Sequence, residues 1–273
     1  MTDISVSLIQ SMLHWEDRAA NLKMFDRFIE NISQKTDLIV LPEMFTTGFS
    51  MNPQKLAEPT QGPTLDWMRT QAQRKNAVVT GSVMTEENGK YYNMLLWVRP
   101  DGSFEKYAKR HLFRMAGEEK KFEMGKEKLI VDLNGWKICP MVCYDLRFPV
   151  WSRNRWKNPS TGSGSGELKA DYDVLIYVAN WPEVRANVWK TLLMARAMEN
   201  NAYVIGVNRI GNDGSFIFHS GDSAIIDFKG MHLKTAIMGK EEVVTSILSQ
   251  QLLAEFRKSF PAGMDADKFS IEY

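Results

Sequence analysis

Three side chains able to break an amide bond together stand at the ends of apolar runs in this chain. Cys143 closes Ile138-Cys139-Pro140-Met141-Val142-Cys143, Glu43 follows Leu38-Ile39-Val40-Leu41-Pro42, and Lys109 ends the strand-like stretch that begins at Phe104. A parallel sheet presents reactive groups where its strands run out into loops. A free thiol titrates near about 8.5, so a neighbouring ammonium or a helix N-terminus is needed to favour thiolate. The stretch 149–156, read as a short helix, is placed to supply the second of these. A carboxylate within hydrogen-bond reach takes the thiol proton and returns it to a leaving amine. A lysine, with a backbone N–H beside the nucleophile, stabilises the oxyanion of a tetrahedral intermediate. Together these steps describe amide or nitrile hydrolysis through a thioester.

Each residue alone has a plainer explanation. Free cysteine is among the most buried residue types, and a lone lysine beside a strand usually faces solvent. Pro42 favours a directed Glu43, because it removes a backbone donor and fixes the turn. His14, His111, His219 and His232 are scattered and lack a zinc-binding spacing, so no metal is expected. A Cys/His dyad with His111 or His219 stays open, since such partners meet only in space. Cys139, separated from Cys143 by Pro140-Met141-Val142, does not form a thioredoxin-like pair. It shares a strand face with Cys143 and is expected deeper in the core.

The elements that position these groups follow from periodicity. Residues 4–9 alternate as a strand, and Leu22, Phe25, Ile29 and Ile32 then recur as an amphipathic helix with Asp17 as its cap. The run 37–43 reads as a strand buried on both faces, which makes strand, helix and strand a parallel crossover unit. Gly62-Pro63-Thr64 opens a second helix, with Thr64 as candidate cap, before a strand at 77–84. Asn88-Gly89, Asp101-Gly102, Asn134-Gly135 and Lys229-Gly230 are hairpin turns. A buried strand at 173–180, a helix at 183–200 and a strand at 202–208 follow. Runs at 223–228, 231–237 and 243–248 read as a meander, before a last amphipathic helix at 251–260. Crossovers mixed with hairpins point to a layered α/β fold. No linker-like break separates Glu43 from Cys143, so residues 1–273 are expected to form a single domain, with a flexible Gly/Ser-rich insertion at 158–166.

The totals narrow the partners. A formal net charge of +1 over 273 residues gives no electrostatic case for nucleic acid or a membrane surface. No apolar run approaches the roughly 18 residues that a span requires. The first residues lack the basic flank of a signal peptide, and two closely spaced cysteines make no disulfide framework. A cytoplasmic protein is expected.

Leu41-Pro42-Glu43, Tyr107-Ala108-Lys109-Arg110-His111-Leu112-Phe113 and Cys143-Tyr144-Asp145-Leu146-Arg147-Phe148-Pro149 resemble, in order, the three signature blocks of the nitrilase, or carbon–nitrogen hydrolase, superfamily. Ala179-Asn180-Trp181-Pro182 and the stretch 195–200 extend the likeness over nearly the whole chain. The stretches 110–115 and 177–182 look like the bacterial omega-amidase branch, whose members hydrolyse the terminal amide of 2-oxo acids such as 2-oxoglutaramate. The resemblance implies a four-layer α-β-β-α sandwich, with Glu43 as general base and acid, Lys109 as oxyanion stabiliser and Cys143 as nucleophile. It further implies that the Tyr144 N–H completes the oxyanion hole. A second glutamate, Glu118 or its neighbour Glu119, positions the lysine and substrate. Phe45, Phe113 and Trp181 are candidate pocket walls, and Arg114, Arg147 and Arg185 are candidate cations for a substrate carboxylate. The resemblance implies a small-molecule amide substrate, no cofactor and a homodimer. Carbamoylase, nitrilase and acyltransferase activities on the same fold are the alternatives, and a non-catalytic binding module fits the complete signatures least.

Overall fold

The structure, a computed structural model, describes residues 1–157 and 169–272, so the Gly/Ser-rich insertion expected at 158–166 lies outside the described residues. Two sheets carry the fold. The first runs Glu242–Leu248, Ile4–Gln10, Leu38–Val40, Val78–Glu87, Lys90–Val98 and Phe104–Ala108, with Glu58–Pro59 pairing beside Val78–Glu87. The second runs His232–Thr235, Ala224–Ile226, Tyr203–Asn208, Val174–Ala179, Trp136–Val142 and Val131–Leu133. Each sheet has three parallel strands at its centre and antiparallel strands at both ends of the order, and the added Glu58–Pro59 pairs parallel with Val78–Glu87.

Side-chain alternation fixes what each face meets. In Lys90–Val98, Leu95 and Trp97 join the core shared with the second sheet, whereas Met94, Leu96 and Val98 pack with Phe25, Ile29, Leu65 and Met68 of the helices Arg18–Glu30 and Pro63–Lys75. Trp189, Leu193 and Ala197 of the helix Ala186–Asn200, with Leu253 of Gln250–Ser259, cover the second sheet. The result is the four-layer α-β-β-α sandwich that the resemblance implies.

Local signals act largely as read. Asp17 caps its helix by accepting a bond from the Ala20 N–H at 3.0 Å. Asn88-Gly89 and Asn134-Gly135 have φ of 53° and 74°, and 52° and 85°, the left-handed pair that a two-residue hairpin requires. Three expectations are corrected. Gly62, not Thr64, is the cap of the second helix, because Pro63 is already its first residue and needs no N–H partner there. The helix read at 149–156 stops at Ser152, where Asn154 is drawn inward to bond the Tyr172 and Asn200 carbonyls and the chain becomes extended. The meander is divided between sheets: Glu242–Leu248 leaves its neighbours and pairs antiparallel with Ile4–Gln10, from Ile4↔Leu248 to Gln10↔Glu242. Alternation marks a strand but does not say which edge it joins. Among the described residues, no helix is long and apolar enough to cross a membrane.

Candidate active site

Glu43 lies just past Leu38–Val40, on a segment laid along Val78–Glu87 by three bonds. Leu41 N donates to Thr80 O at 2.8 Å, Met44 N to Ser82 Oγ at 2.9 Å, and Phe45 N to Ser82 O at 3.1 Å. Glycine at 81 permits this approach, since a Cβ there would meet Leu41 Cβ at 2.8 Å and Phe45 Cδ1 at 3.0 Å. Lys109 ends the strand Phe104–Ala108, its N–H bonding Asn93 O at 2.9 Å. Cys143 opens the 3-10 turn Cys143–Arg147 with φ at 43°, a left-handed conformation that costs a non-glycine residue roughly 1 kcal/mol or more. The fold compensates by tying the turn down. Asp145 accepts bonds from Val142 N at 3.1 Å, Tyr107 Oη at 2.7 Å and His111 N at 2.9 Å, which joins the cysteine turn to the segment that carries Lys109. Arg196 donates to Leu146 O from Nε at 3.1 Å and from Nη2 at 2.7 Å.

These ties bring Glu43, Lys109 and Cys143 together. Glu43, Lys109 and Glu118 are fully buried, and Cys143 is 8% exposed. Lys109 Nζ donates to Glu43 Oε1 at 2.9 Å and to Glu118 Oε1 and Oε2 at 3.0 and 2.9 Å. Glu43 Oε2 accepts from Asn180 N at 2.8 Å, and the Glu43 charge acts on the Cys143 thiol. Burial alone would lower the Lys109 pKa, but Glu118 and Glu43 carry it above its ordinary value, so the lysine is charged. Burial pushes Glu118 up and the lysine partly offsets it.

The same balance corrects the expectation of a lowered thiol pKa. Burial and then the Glu43 charge raise Cys143 well above the ordinary thiol range, and the pull of Lys109 and the Asn180 N–H does not overcome them. The resting sulfur is a protonated thiol beside a base. The short segment Pro149–Ser152 adds no long helix to shift that balance.

A cavity of about 80 Å³ opens onto this cluster, reached by Cys143, Lys109, Tyr144 and Asn180 and walled by Phe49, Phe113 and Trp181. Arg147 and Arg185 line it too. Arg147 stacks its guanidinium 5.2 Å from the Trp181 ring centre and Arg185 lies 5.4 Å from that of Phe113, and neither has an ion-pair partner among the described residues. Arg114 is exposed and does not line the cavity. Phe45 does not either: it packs in the core between Phe25 and Trp67, at ring distances of 5.5 and 5.9 Å. Of the adjacent glutamates, Glu118 reaches the lysine and also accepts from Phe113 N at 2.6 Å, whereas Glu119 is only half-buried.

The histidines have other partners. His111 Nδ1 bonds Asp145 Oδ1 at 2.8 Å. His219 lines the cavity, but burial first, and then Arg209, push it down to about 4, and its Nδ1 lies 2.9 Å from Ile217 O. Cys139 is fully buried, and burial pushes its thiol up to about 12. Sequence reading missed Asn93, Asn180 and the Asp145 ties. Asn93 carried a usable signal, a polar residue inside Tyr91-Tyr92-Asn93-Met94-Leu95-Leu96-Trp97, where a buried amide demands partners.

A thiol with an adjacent carboxylate and an ammonium, at the floor of a mostly apolar cavity, can perform acyl transfer through sulfur. Comparison with known proteins points the same way. The carbon-nitrogen hydrolase family model matches residues 5–157 and 168–258. The chain is 45% identical over 271 residues to omega-amidase YafV of Yersinia enterocolitica, covering 99% of this chain and 100% of that protein. It is 33% identical over 268 residues to the 2-oxoglutaramate amidase of Bacillus subtilis, with coverage of 97% and 98%. The crystal structure of XC1258 from Xanthomonas campestris, a CN-hydrolase superfamily protein with an arsenic adduct in its active site, superposes with a TM-score of 0.93. That chain is 45% identical, and coverage is 100% of both.

Proposed function

The chain belongs to the carbon–nitrogen hydrolase family, and we propose that it is a thiol-dependent omega-amidase releasing ammonia from the terminal amide of a small 2-oxo acid such as 2-oxoglutaramate. The observation that carries this reading is the Glu43 carboxylate bonded to the Lys109 ammonium, which shares one cavity with the Cys143 thiol that the Glu43 charge acts on.

In the proposed sequence, Glu43 takes the thiol proton as sulfur attacks the amide carbonyl. Lys109 Nζ and the Tyr144 N–H hold the oxyanion, and Glu118 keeps the lysine charged and in place. Glu43 returns its proton to the leaving nitrogen, and ammonia departs from a Cys143 thioester. A water deprotonated by Glu43 then attacks the thioester, releasing the acid and restoring the thiol. Phe113 and Trp181 support the two guanidinium groups that face the cavity, so Arg147 and Arg185 are the cations assigned to the substrate's 2-oxo carboxylate.

Residues 1–273 act as one catalytic domain in this reading, because the site draws Glu43 and Lys109 from one sheet and Cys143 from the other. Exposed Val150 and Met198, on the helices Pro149–Ser152 and Ala186–Asn200, suit a homodimer contact that sedimentation would test. Two free thiols suit a reducing cytoplasm. The deciding measurement compares kcat/KM for 2-oxoglutaramate and glutamine, which differ at the carbon bearing the oxo or amino group. A clear preference for the oxo acid is expected. Equal turnover of the two, or faster turnover of a carbamoyl amine or a nitrile, would overturn the substrate assignment.

A further inference from the structure

Asn93 lies in the strand Lys90–Val98, fully buried, and its neutral side chain hydrogen-bonds both glutamates of the cluster. Its Nδ2 donates to Glu43 Oε1 at 2.8 Å and to Glu118 Oε1 at 3.2 Å. Those two oxygens also receive Lys109 Nζ at 2.9 and 3.0 Å, so the amide and the ammonium close a ring with the two carboxylates. The Asn93 carbonyl holds the Lys109 N–H at 2.9 Å as well. Asn93 Oδ1 has no hydrogen-bond partner among the described residues, and the opposite amide orientation would place an acceptor against two carboxylates.

Two carboxylates sharing one ammonium in a fully buried cluster carry a surplus negative charge, and burial alone would have one of them take up a proton. A protonated Glu43 is no base. Asn93 offers donors to both carboxylates without adding a charge that would compete with Lys109. Its bond also occupies Oε1 of Glu43 together with Lys109, leaving Oε2, which faces Asn180 N, as the oxygen that receives the thiol proton.

We propose that Asn93 is a positioning residue of the reaction, keeping Glu43 ionised and its Oε2 directed to the Cys143 thiol. The proposal rests on the Glu43–Lys109–Cys143 reading but not on the identity of the substrate. The test is the pH profile of kcat/KM, taken with 2-oxoglutaramate and with a small uncharged amide, in Asn93→Ala, Asn93→Ser and Asn93→Asp. Loss of the donor makes Glu43 easier to protonate. The acid limb of both profiles should move to higher pH by about one to two units in Asn93→Ala, less in Asn93→Ser, which keeps one donor. Asn93→Asp keeps the shape, puts an acceptor in the donor's place, and should move the limb furthest. A residue that only packs would change rates without moving either limb. Acid limbs within about 0.3 units of the parent in the variants that fold would overturn the proposal. If Asn93→Ala fails to fold, the similar-shaped Asn93→Asp and the smaller Asn93→Ser decide it. A limb moved with the uncharged amide, with no turnover of 2-oxoglutaramate, would separate a wrong substrate from a wrong role for Asn93.

Discussion

Replacing Glu43 by glutamine separates the two roles proposed for the carboxylate. Glutamine can keep an oxygen toward Asn93 Nδ2 and Lys109 Nζ, at the position where Oε1 now sits 2.8 and 2.9 Å from them. Its NH2 then replaces Oε2 and faces the Asn180 N–H, 2.8 Å from the present oxygen, and the Cys143 thiol. The variant has no group to take the proton in acylation or from water in deacylation, so ammonia release should fall by about 10²–10⁴-fold. The thiol should respond in the opposite sense. Burial raises its pKa first and the Glu43 charge second, while Lys109 lowers it. Removing that charge leaves burial opposed by Lys109 and lowers the thiol pKa. The variant should therefore alkylate more readily with iodoacetamide at neutral pH while turning over almost nothing. Lys109 retains both Glu118 bonds, so the fold should lose only about 1–3 kcal/mol, a few degrees in Tm. Ammonia release, alkylation rate against pH and a thermal melt measure the three effects. Turnover within tenfold of the parent, or a thiol pKa that rises, would refute the reasoning.

Cys143→Ala should abolish ammonia release and the acyl adduct seen by mass spectrometry, and its native state should resist alkylation because the Cys139 thiol sits at about 12; an adduct in that variant would place the nucleophile elsewhere. Arg185→Leu and Arg147→Leu should each lower kcat/KM for 2-oxoglutaramate by about 10²-fold, since a carboxylate loses a charged partner, and leave a small uncharged amide within a few-fold. Equal losses on both amides would point to damaged packing on Phe113 or Trp181. The His219 pKa is depressed to about 4, so its share of stability is present above the unfolded value of about 6.5 and is lost as pH falls from there through 4. Unfolding free energies of His219→Gln from urea titrations should therefore fall less steeply between pH 6.5 and 4 than those of the parent, by up to about 3 kcal/mol; parallel slopes would show that His219 does not carry the transition.

Much of this molecule was legible along the chain. Hairpin turns at Asn88-Gly89 and Asn134-Gly135, the Asp17 cap and the alternating faces of Lys90–Val98 are local, set by φ preference, a short polar side chain and a period of two. The stations of Glu43, Lys109 and Cys143 at strand ends were local as well, because apolar runs stop visibly at each. Three kinds of decision were not local. Glu242–Leu248 had to choose between two sheet edges, and its pattern suited either. Phe45 and Phe113 are the same residue type near the same motifs, yet one fills the core beside Trp67 and the other walls the cavity. The charge state of Cys143 depended on how much water the closed sandwich leaves around it and on which charge lies nearest, quantities that exist only once both sheets have met. The sequence by itself determined which reactive groups stand at the ends of the strands. The tertiary structure decided that the thiol rests protonated against Glu43, with Asn93 joining the two carboxylates, because desolvation and Coulomb forces act through space and not along the chain.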